Sequence, residues 1–273
     1  MKILLVLANL FLCNSAYNIN HHRIIGGVHA IPGEFPHMLS VQMNSSSNHG
    51  HYCGASIIND RWSLTAAHCV KPMSIDTGEV VVIAGAWDFN KPSEYQQKVM
   101  VDQGIQHPSY KGLGKRVAFH DIGLLHLAKA LVWNDWIKPV ILPHPNTPVH
   151  DEAVFSGWGL IEDTPSGSTN ILQRATMRVI TVSECYHLLV PLEKTEDLFL
   201  GRDICTKPYT EGLSVCIGDS GGPFGEWHGD DFLQLGIAIW TIGTCGEADV
   251  PSVFARVSEY LGWIRYYVEG YKY

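Results

Sequence analysis

The run CIGDSGGP at residues 216–223 places Ser220 in a glycine-rich setting where a nucleophile could act. Gly218, Gly221 and Gly222 allow a tightly turned backbone whose N–H groups point at a common spot. A serine hydroxyl held in such a turn is well placed to attack a carbonyl group, because the surrounding amides stabilise the resulting oxyanion. A plain surface turn has the same composition, so catalysis requires a base and an orienting acid elsewhere in the chain.

A histidine and an aspartate earlier in the chain could supply these two partners. His68 lies in LTAAHC at residues 64–69, where small neighbours let an imidazole sit in a packed setting. Asp121 directly precedes an apolar run, and a carboxylate there is costly unless it is hydrogen-bonded or paired. A bond from Nδ1–H of His68 would satisfy Asp121 and fix the imidazole tautomer. Either residue alone fits a structural role, since the chain holds 14 histidines, but with Ser220 they predict a nucleophilic triad.

Short apolar runs, separated by segments rich in turn-forming residues, surround the three residues. Runs of this length and composition predict β-strands. The strand candidates are residues 38–43, 55–58, 79–84 and 122–127 in the first half, and 153–158, 173–181, 233–240 and 252–257 in the second. Turn residues dominate the segments between them, such as residues 72–78. The two halves have a similar texture and meet at a connector near residues 128–139, which predicts two stacked barrels.

The C-terminus carries a clear helical pattern. Val257, Leu261, Ile264 and Val268 recur on one helical face, and Ser258 is available as the N-cap. We expect this helix to cover apolar surface at the end of the domain.

The first 23 residues have the features of targeting and processing segments. Residues 1–16 hold one lysine, an apolar run too short to span a membrane, and small residues at the end. This pattern predicts a signal peptide, and therefore a secreted, extracellular protein with no membrane partner. Residues 17–23 end at Arg23, which precedes IIGG. Such a site suits cleavage by a trypsin-like enzyme, which would release residues 24–273 as the mature domain.

The cysteine count is informative for an exported protein. The signal peptide takes away Cys13, and six cysteines remain: Cys53, Cys69, Cys185, Cys205, Cys216 and Cys245. An even set in an oxidising compartment predicts three disulfides, and the residues alone leave about fifteen connectivities open. Zinc binding is the alternative, but the chain has no C-x₂-C pair, so we expect no metal.

The charge balance narrows the class of partner. The chain holds 19 basic and 27 acidic residues, and loss of residues 1–23, which carry two of the basic ones, leaves a formal net charge of −10. An acidic surface argues against nucleic acid or an anionic membrane as the partner. About 250 residues with many glycines and prolines suit one large all-β domain or two small packed ones.

Four motifs in this order and at these separations, RIIGG, TAAHC, DIGLL and CIGDSGGP, resemble those of the chymotrypsin-like (S1 family) serine proteases. The resemblance runs from Arg23 to the C-terminal helix. It implies an all-β fold of two six-stranded antiparallel Greek-key barrels with a C-terminal helix and the site between the barrels. It also implies a monomeric serine endopeptidase without a cofactor. Protein or peptide substrates, an activating trypsin-like protease and protein protease inhibitors would be its partners.

The resemblance assigns roles to individual residues. Ser220 would be the nucleophile, His68 the general base and then acid, and Asp121 the orienting carboxylate. The N–H groups of Gly218 and Ser220 would form the oxyanion hole. After cleavage behind Arg23, the new ammonium group of Ile24 would pair with the carboxylate of Asp219.

The same resemblance implies a disulfide pattern and a route of activation. The implied bridges are Cys53–Cys69, Cys185–Cys205 and Cys216–Cys245. They leave no cysteine to tether residues 17–23, which should therefore depart after cleavage.

Five residues would shape the pocket for the substrate side chain before the scissile bond, the P1 residue: Ser214, Val215, Trp240, Thr241 and Ser252. Ser214 stands where trypsin-like members carry an aspartate, so tryptic specificity is not expected. Thr241 and Ser252 replace glycines of deep-pocket members, and their side chains would narrow the slot. This is similar to the elastase-like pattern, which favours small or medium apolar P1 residues; chymotrypsin-like specificity is the alternative.

Three further positions qualify this interpretation. Ile239 replaces the serine that usually donates to the triad aspartate, which keeps open a weakly active or inactive homologue that acts as a binding protein. Asn44 begins an N-glycosylation sequon, N-S-S, on an expected loop. Ala86 occupies the expected position of the first glutamate of the family's calcium loop, so we expect no calcium.

Overall fold

The computed structural model describes residues 27–44, 50–112, 119–160, 169–192, 201–207, 213–241, 245–247 and 250–268. The predicted signal peptide, the predicted activation segment and Ile24 lie outside these residues, as do the second and third residues of the glycosylation sequon. Asn44 itself is exposed and directly follows a strand.

The first half of the chain forms a closed barrel of six antiparallel strands. After a short strand β1 (Val28–His29), the barrel contains β2 (Met38–Met43), β3 (Gly50–Ile57), β4 (Trp62–Thr65), β5 (Val80–Ala84), β6 (Gln97–Gln106) and β7 (Gly123–Leu127). They close in the order β2-β3-β4-β7-β6-β5. All five residues of β5, VVVIA, are buried, because an apolar β-branched run suits a strand that is covered on both faces.

The second half forms another ring of six strands. Its members are β8 (Glu152–Gly157), β9 (Gln173–Ile180), β10 (Asp203–Lys207), β11 (Pro223–His228), β12 (Asp231–Thr241) and β13 (Ser252–Arg256). They follow the order β9-β10-β13-β12-β11-β8, the pairing of β8 with β9 closes the ring, and β1 lies outside on β9. The predicted pair of six-stranded antiparallel barrels is therefore confirmed.

Among the described residues, three short α-helices accompany the barrels: α1 (Pro72–Asp76), α2 (Val182–Leu189) and α3 (Leu261–Tyr267). The predicted C-terminal helix is present, and its four apolar residues are buried. The predicted N-cap is wrong, because a 3₁₀ helix occupies Val257–Tyr260 and Tyr260 precedes the first α-helical turn. The composition of residues 72–78 predicts turns alone, and this prediction is wrong. The segment contains α1, which Pro72 starts at a position where a missing N–H costs little.

The two barrels meet through buried polar contacts as well as apolar packing. Ser56 in β3 donates its hydroxyl to Oε1 of Gln234 in β12 at 2.6 Å, and both side chains are fully buried. The backbone N–H of Ile141, in the connector between the barrels, donates to the carbonyl of Phe232 at 2.9 Å. These bonds fix how the edges of the two barrels face each other.

One histidine of this interface makes stability sensitive to acid. His37 is buried, and its ring stacks on Phe232 at 4.1 Å between centroids and 20° between planes. Burial lowers the pKa of His37 from 6.5 to about 3. Below about pH 6.5 the unfolded chain therefore binds a proton at His37 and the folded chain does not. The free energy of unfolding is unaffected by His37 above about pH 6.5 and falls as the pH drops toward 3.

We expect the replacement His37→Phe, which keeps the stack, to remove this acid sensitivity. Urea unfolding at pH 7 should give similar free energies of unfolding for the two proteins. At pH 4 the variant should be more stable by about 3 kcal/mol, because it has no proton to exclude. Equal pH dependence of the two proteins would contradict the assignment of a neutral, buried ring.

Three disulfides join Cys53 to Cys69, Cys185 to Cys205 and Cys216 to Cys245. The pairing that the resemblance implied is confirmed. Within the part of the chain that is described, no helix has both the length and the apolar character that crossing a membrane requires.

Candidate active site

Neighbouring strands of the first barrel bring His68 and Asp121 together. His68 follows β4 in a 3₁₀ helix, Ala67–Cys69, and Asp121 precedes β7. Because β4 and β7 are antiparallel partners, with Thr65 opposite Gly123, the residues just beyond these positions face each other. The disulfide at Cys69 ties the 3₁₀ helix back to β3.

The carboxylate of Asp121 holds His68 at two points. Its Oδ2 lies 2.7 Å from Nδ1 of the imidazole, and its Oδ1 accepts the backbone N–H of His68 at 2.9 Å. Asp121 is buried, and His68 remains partly exposed. Since a carboxylate accepts, Nδ1 donates to Asp121, and in the neutral imidazole this tautomer leaves the lone pair on Nε2, where it can act as a base.

The turn that carries Ser220 docks against β3 and against Cys69, the residue that follows His68. The carbonyl of Ser220 accepts the N–H of Gly54 in β3 at 2.8 Å, and Sγ of Cys69 lies 3.6 Å from the same oxygen. Gly221 has a φ of +82°, and a Cβ there would collide with the side chain of Thr65 and the carbonyl of Gly54. Only glycine lets this turn of the second barrel pack so closely against β3 and β4 of the first.

The two N–H groups predicted for the oxyanion hole have fixed directions. In a trans peptide the carbonyl and the N–H point in opposite directions. The carbonyl of Ile217 accepts the N–H of Leu160 at 2.8 Å, which turns the N–H of Gly218 away from Leu160. The carbonyl preceding Ser220 accepts the N–H of Gly222 at 3.0 Å and orients the N–H of Ser220 in the same way.

His51 adds a support that sequence reasoning missed. Its Nε2 lies 3.0 Å from the carbonyl of Gly218, whose φ is +95°, and its Nδ1 lies 2.8 Å from the hydroxyl of Ser40. Burial lowers the pKa of His51 to about 4, so the ring is neutral near pH 7 and donates from Nε2. The sequence placed His51 two residues before Cys53 but offered no sign of its partner 167 positions away.

Asp219 lies buried beneath this turn. Its carboxylate accepts the N–H of Gly159 at 2.8 Å and the N–H of Cys216 at 2.9 Å. Burial raises the pKa of Asp219 to about 7, against the two amide donors, which lower it. A side chain at Gly159 would collide with the carboxylate, so the loop at residue 159 must remain glycine to cover it. The predicted partner of Asp219, Ile24, lies outside the described residues.

The predicted pocket residues lie on three segments: the loop of Ser214 and Val215, the end of β12 and the start of β13. The hydroxyl of Ser214 accepts the N–H of Gly246 at 2.7 Å, and the hydroxyl of Ser252 accepts the N–H of Val215 at 3.2 Å. Ser214, Val215 and Ser252 are buried. Thr241 pairs with Ser252 across β12 and β13, and its hydroxyl lies 3.5 Å from the carbonyl of Pro251. Trp240, the residue before Thr241, is partly exposed.

Ile239 lies at an irregularity between β12 and β13 and is 3% exposed. An isoleucine side chain has no donor for Asp121, so the described contacts of that carboxylate come from His68. Asp121 therefore depends on its own backbone and on His68 for its orientation.

Metal ligation finds little support in the described part of the chain. One group of histidine, cysteine and acidic side chains there brings its ligand atoms close together, and it consists of Cys53, His68 and Cys69. Both sulfurs belong to the same disulfide and cannot bind a metal as thiolates. Ala86, at the position expected for the first glutamate of the family's calcium loop, is buried and has no ligand atom in its side chain.

Comparison with known proteins gives clear similarities. The sequence model of the Trypsin family matches residues 24–264. The chain is 36% identical over 249 residues to fibrinolytic enzyme, isozyme C, of Lumbricus rubellus, covering 88% of the chain and 98% of that protein. It is 30% identical over 244 residues to Trypsin-1 of Astacus astacus, covering 89% and 98%. It is 32% identical over 245 residues to transmembrane protease serine 9 of Rattus norvegicus, of which it spans only 22%.

Proposed function

The chain belongs to the trypsin family of serine proteases, and on that premise we propose that Ser220, His68 and Asp121 form the triad of a serine endopeptidase. The double contact of Asp121 with His68 is the observation that carries the proposal. The docking of the Ser220 turn against β3 and Cys69 supports it.

In this mechanism the hydroxyl of Ser220 attacks the carbonyl carbon of the scissile peptide bond, and Nε2 of His68 takes its proton. The N–H groups of Gly218 and Ser220 bind the oxyanion of the tetrahedral intermediate. His68 then protonates the departing amine, which leaves an acyl group on Ser220. Water, deprotonated by His68, releases that acyl group and restores the enzyme. Asp121 stabilises the imidazolium in both halves.

We further propose that the protein is made as a secreted zymogen. Residues 1–16 would act as the signal peptide, and cleavage after Arg23 by a trypsin-like protease would remove residues 17–23 and free the amine of Ile24. The buried carboxylate of Asp219, whose pKa burial raises to about 7, supports this proposal because a neighbouring ammonium group would stabilise its charged form. Protein inhibitors of proteases and, at Asn44, a glycan are further expected partners.

The proposed P1 preference is for small or medium apolar residues, as in an elastase-like pocket. Ser214 has no charge to offer a lysine or arginine, and its hydroxyl is already engaged by Gly246. The side chains of Ser252 and Thr241 stand on adjacent strands at the pocket wall, where they support a shortened slot. A chymotrypsin-like preference for Phe or Tyr is the competing specificity.

Peptide substrates that differ only at P1 test this preference. We expect the Arg23-cleaved enzyme to give a kcat/KM at least about tenfold higher with Ala, Val or Leu than with Phe, Tyr or Arg, because each misfit costs roughly 1–3 kcal/mol. A double variant, Thr241→Gly with Ser252→Gly, should then gain activity toward Phe. A preference of the unaltered enzyme for Phe or Tyr would refute the shortened slot.

Ile239 favours a second candidate function, a protease homologue that binds proteins with weak or no turnover. The donor that it fails to provide would contribute about 1.5–3 kcal/mol as a hydrogen bond to a charged group. Titration of the cleaved protein with a serine-directed covalent inhibitor separates the two functions. Stoichiometric labelling with peptide turnover supports the endopeptidase, whereas neither labelling nor turnover supports the binding role.

A further inference from the structure

The backbone turn that presents Asp121 is held in a strained form. His120, directly before Asp121, has a φ of +53°, which is uncommon for a residue other than glycine. Its carbonyl accepts the N–H of Ile122 at 2.8 Å, so Asp121 is the central residue of a three-residue turn. Such conformations cost energy and persist only where their surroundings hold them.

Contacts of the His120 ring stabilise this backbone conformation. The ring stacks on the ring of His107 at 4.9 Å and 12°, and the ring of Tyr260 meets it edge-on at 5.9 Å and 86°. Its Nε2 lies 3.0 Å from Nη1 of Arg202. Its Nδ1 is buried and finds no hydrogen-bond partner among the residues that the structure describes, so the Arg202 bond is the polar contact that orients the ring.

Arg202 reaches His120 from the other barrel. It directly precedes β10, and its carbonyl accepts the N–H of Arg256 at 2.8 Å, which anchors its backbone while its side chain is exposed. The bond therefore joins the second barrel to the turn of the first barrel that carries Asp121.

The charges around His120 favour the form that can accept this bond. Arginine has donors only, so Nε2 must be unprotonated. Burial, followed by the charges of Arg202 and Lys111, lowers the pKa of His120. The pKa of His107, the stacked neighbour, is likewise lowered by burial and by the charges of His120 and Arg202. Arg202 thus disfavours the protonated ring that would repel it.

We propose that Arg202 is a positioning residue for Asp121, acting through His120 across the interface between the barrels. The inference rests on the proposed triad role of Asp121. It accounts for how the carboxylate keeps its direction although Ile239 gives it no donor. Arg202, in the second barrel, holds the ring of His120, and His120 in turn holds the backbone turn at Asp121. The carboxylate is thus oriented through its backbone and not by a direct hydrogen bond from the second barrel.

Two variants of equal charge separate the bond from the charge. Arg202→Gln keeps a donor for Nε2, whereas Arg202→Met has a similar length and no donor. With active sites counted by covalent titration, we expect kcat of Arg202→Met to be about fivefold lower than that of Arg202→Gln, with KM unchanged, because the two variants differ by one neutral hydrogen bond. On the acidic side of the pH profile, kcat/KM of Arg202→Met should begin to fall at a lower pH than kcat/KM of Arg202→Gln. The reason is that a misdirected Asp121 stabilises the His68 imidazolium less. Arg202→Gln should retain most of kcat, and Arg202→Lys should restore it.

The outcomes distinguish failure of this inference from failure of the triad. If Arg202→Met and Arg202→Gln have equal kcat and equal acidic limbs, the positioning role is wrong, whatever Asp121 does. Asp121→Asn provides the other arm and should lower kcat by about 10⁴. If Asp121→Asn remains fully active, the proposed triad is wrong and the positioning role falls with it. Because Arg202 is exposed, its variants are expected to fold, and circular dichroism checks this.

Discussion

Replacing Ser220 with alanine is expected to lower the kcat of the Arg23-cleaved enzyme by about 10⁵–10⁶, because removal of the nucleophile eliminates the acyl-enzyme route. The turn itself should survive, since its contacts with Gly54 and Cys69 use the carbonyl of residue 220 rather than its hydroxyl. The measurement is single-turnover and steady-state hydrolysis of a peptide with alanine at P1, together with labelling by a serine-directed covalent inhibitor. Both signals should disappear together.

Ser183→Ala serves as the matched control for this loss. Ser183 is an exposed serine on α2, so the same chemical change there should leave both turnover and labelling intact. Inhibitor labelling that persists in Ser220→Ala would place the nucleophile elsewhere and would contradict the proposed triad.

The replacement Asp219→Asn is expected to have opposite effects before and after cleavage at Arg23. In the uncleaved chain the carboxyl group is buried with a pKa of about 7, above its unfolded value. The folded state therefore binds the proton more tightly, and stability is lost as the pH rises from about 4 through 7, by about 4 kcal/mol. The asparagine variant has no charge to bury, so its uncleaved form should not lose this stability.

After cleavage the same replacement should be harmful. The Ile24 ammonium would pair with the Asp219 carboxylate, and removal of one partner of a buried pair costs on the order of 3–5 kcal/mol. We expect activity to fall by about 10²–10³ as the turn of Gly218 loses its support. In the unaltered enzyme the proposed pair would raise the folded pKa of the amine above its unfolded value of about 8, so its contribution would be present at neutral pH and lost as the pH rises through that raised value.

Urea unfolding of both forms across pH 4–9, with kcat measured on the cleaved form, tests this reversal. Asp203→Asn is the control, because burial also raises the pKa of Asp203 to about 7 but no role in activation is proposed for it. Full activity of cleaved Asp219→Asn would exclude the pairing with Ile24.

The strand regions and the contact between His68 and Asp121 were predictable because their signals are local or belong to a motif set. Runs such as residues 38–43 match an observed strand, since a buried strand needs apolar side chains within a few residues of one another. Helix α2 was missed although Thr181 caps Glu184 at its start. The eight residues of α2 are too few to show a clear helical periodicity, and polar residues follow them. The pair Thr181 and Glu184, which has the spacing of a capping box, was the signal that could have revealed the helix.

The supports of the site could not be predicted, because each joins residues far apart in the chain. His51 contacts Gly218 across 167 positions, and Arg202 contacts His120 across 82. Nothing in the types or spacing of these residues indicates which barrel edge will face the other. That juxtaposition follows from barrel closure and from the docking of the two halves, which depend on the whole set of buried side chains.

The residues of the proposed triad are divided between the two barrels, with His68 and Asp121 on the first and Ser220 on the second. The competent geometry therefore exists only while the barrels remain docked, and a ligand that spans the seam binds the docked state alone. By mass action such a ligand stabilises the fold itself. An inhibitor bound across the seam would therefore raise the free energy of unfolding. The enzyme without a bound ligand would be the form whose barrels separate most readily and which other molecules of the same protease cleave most readily.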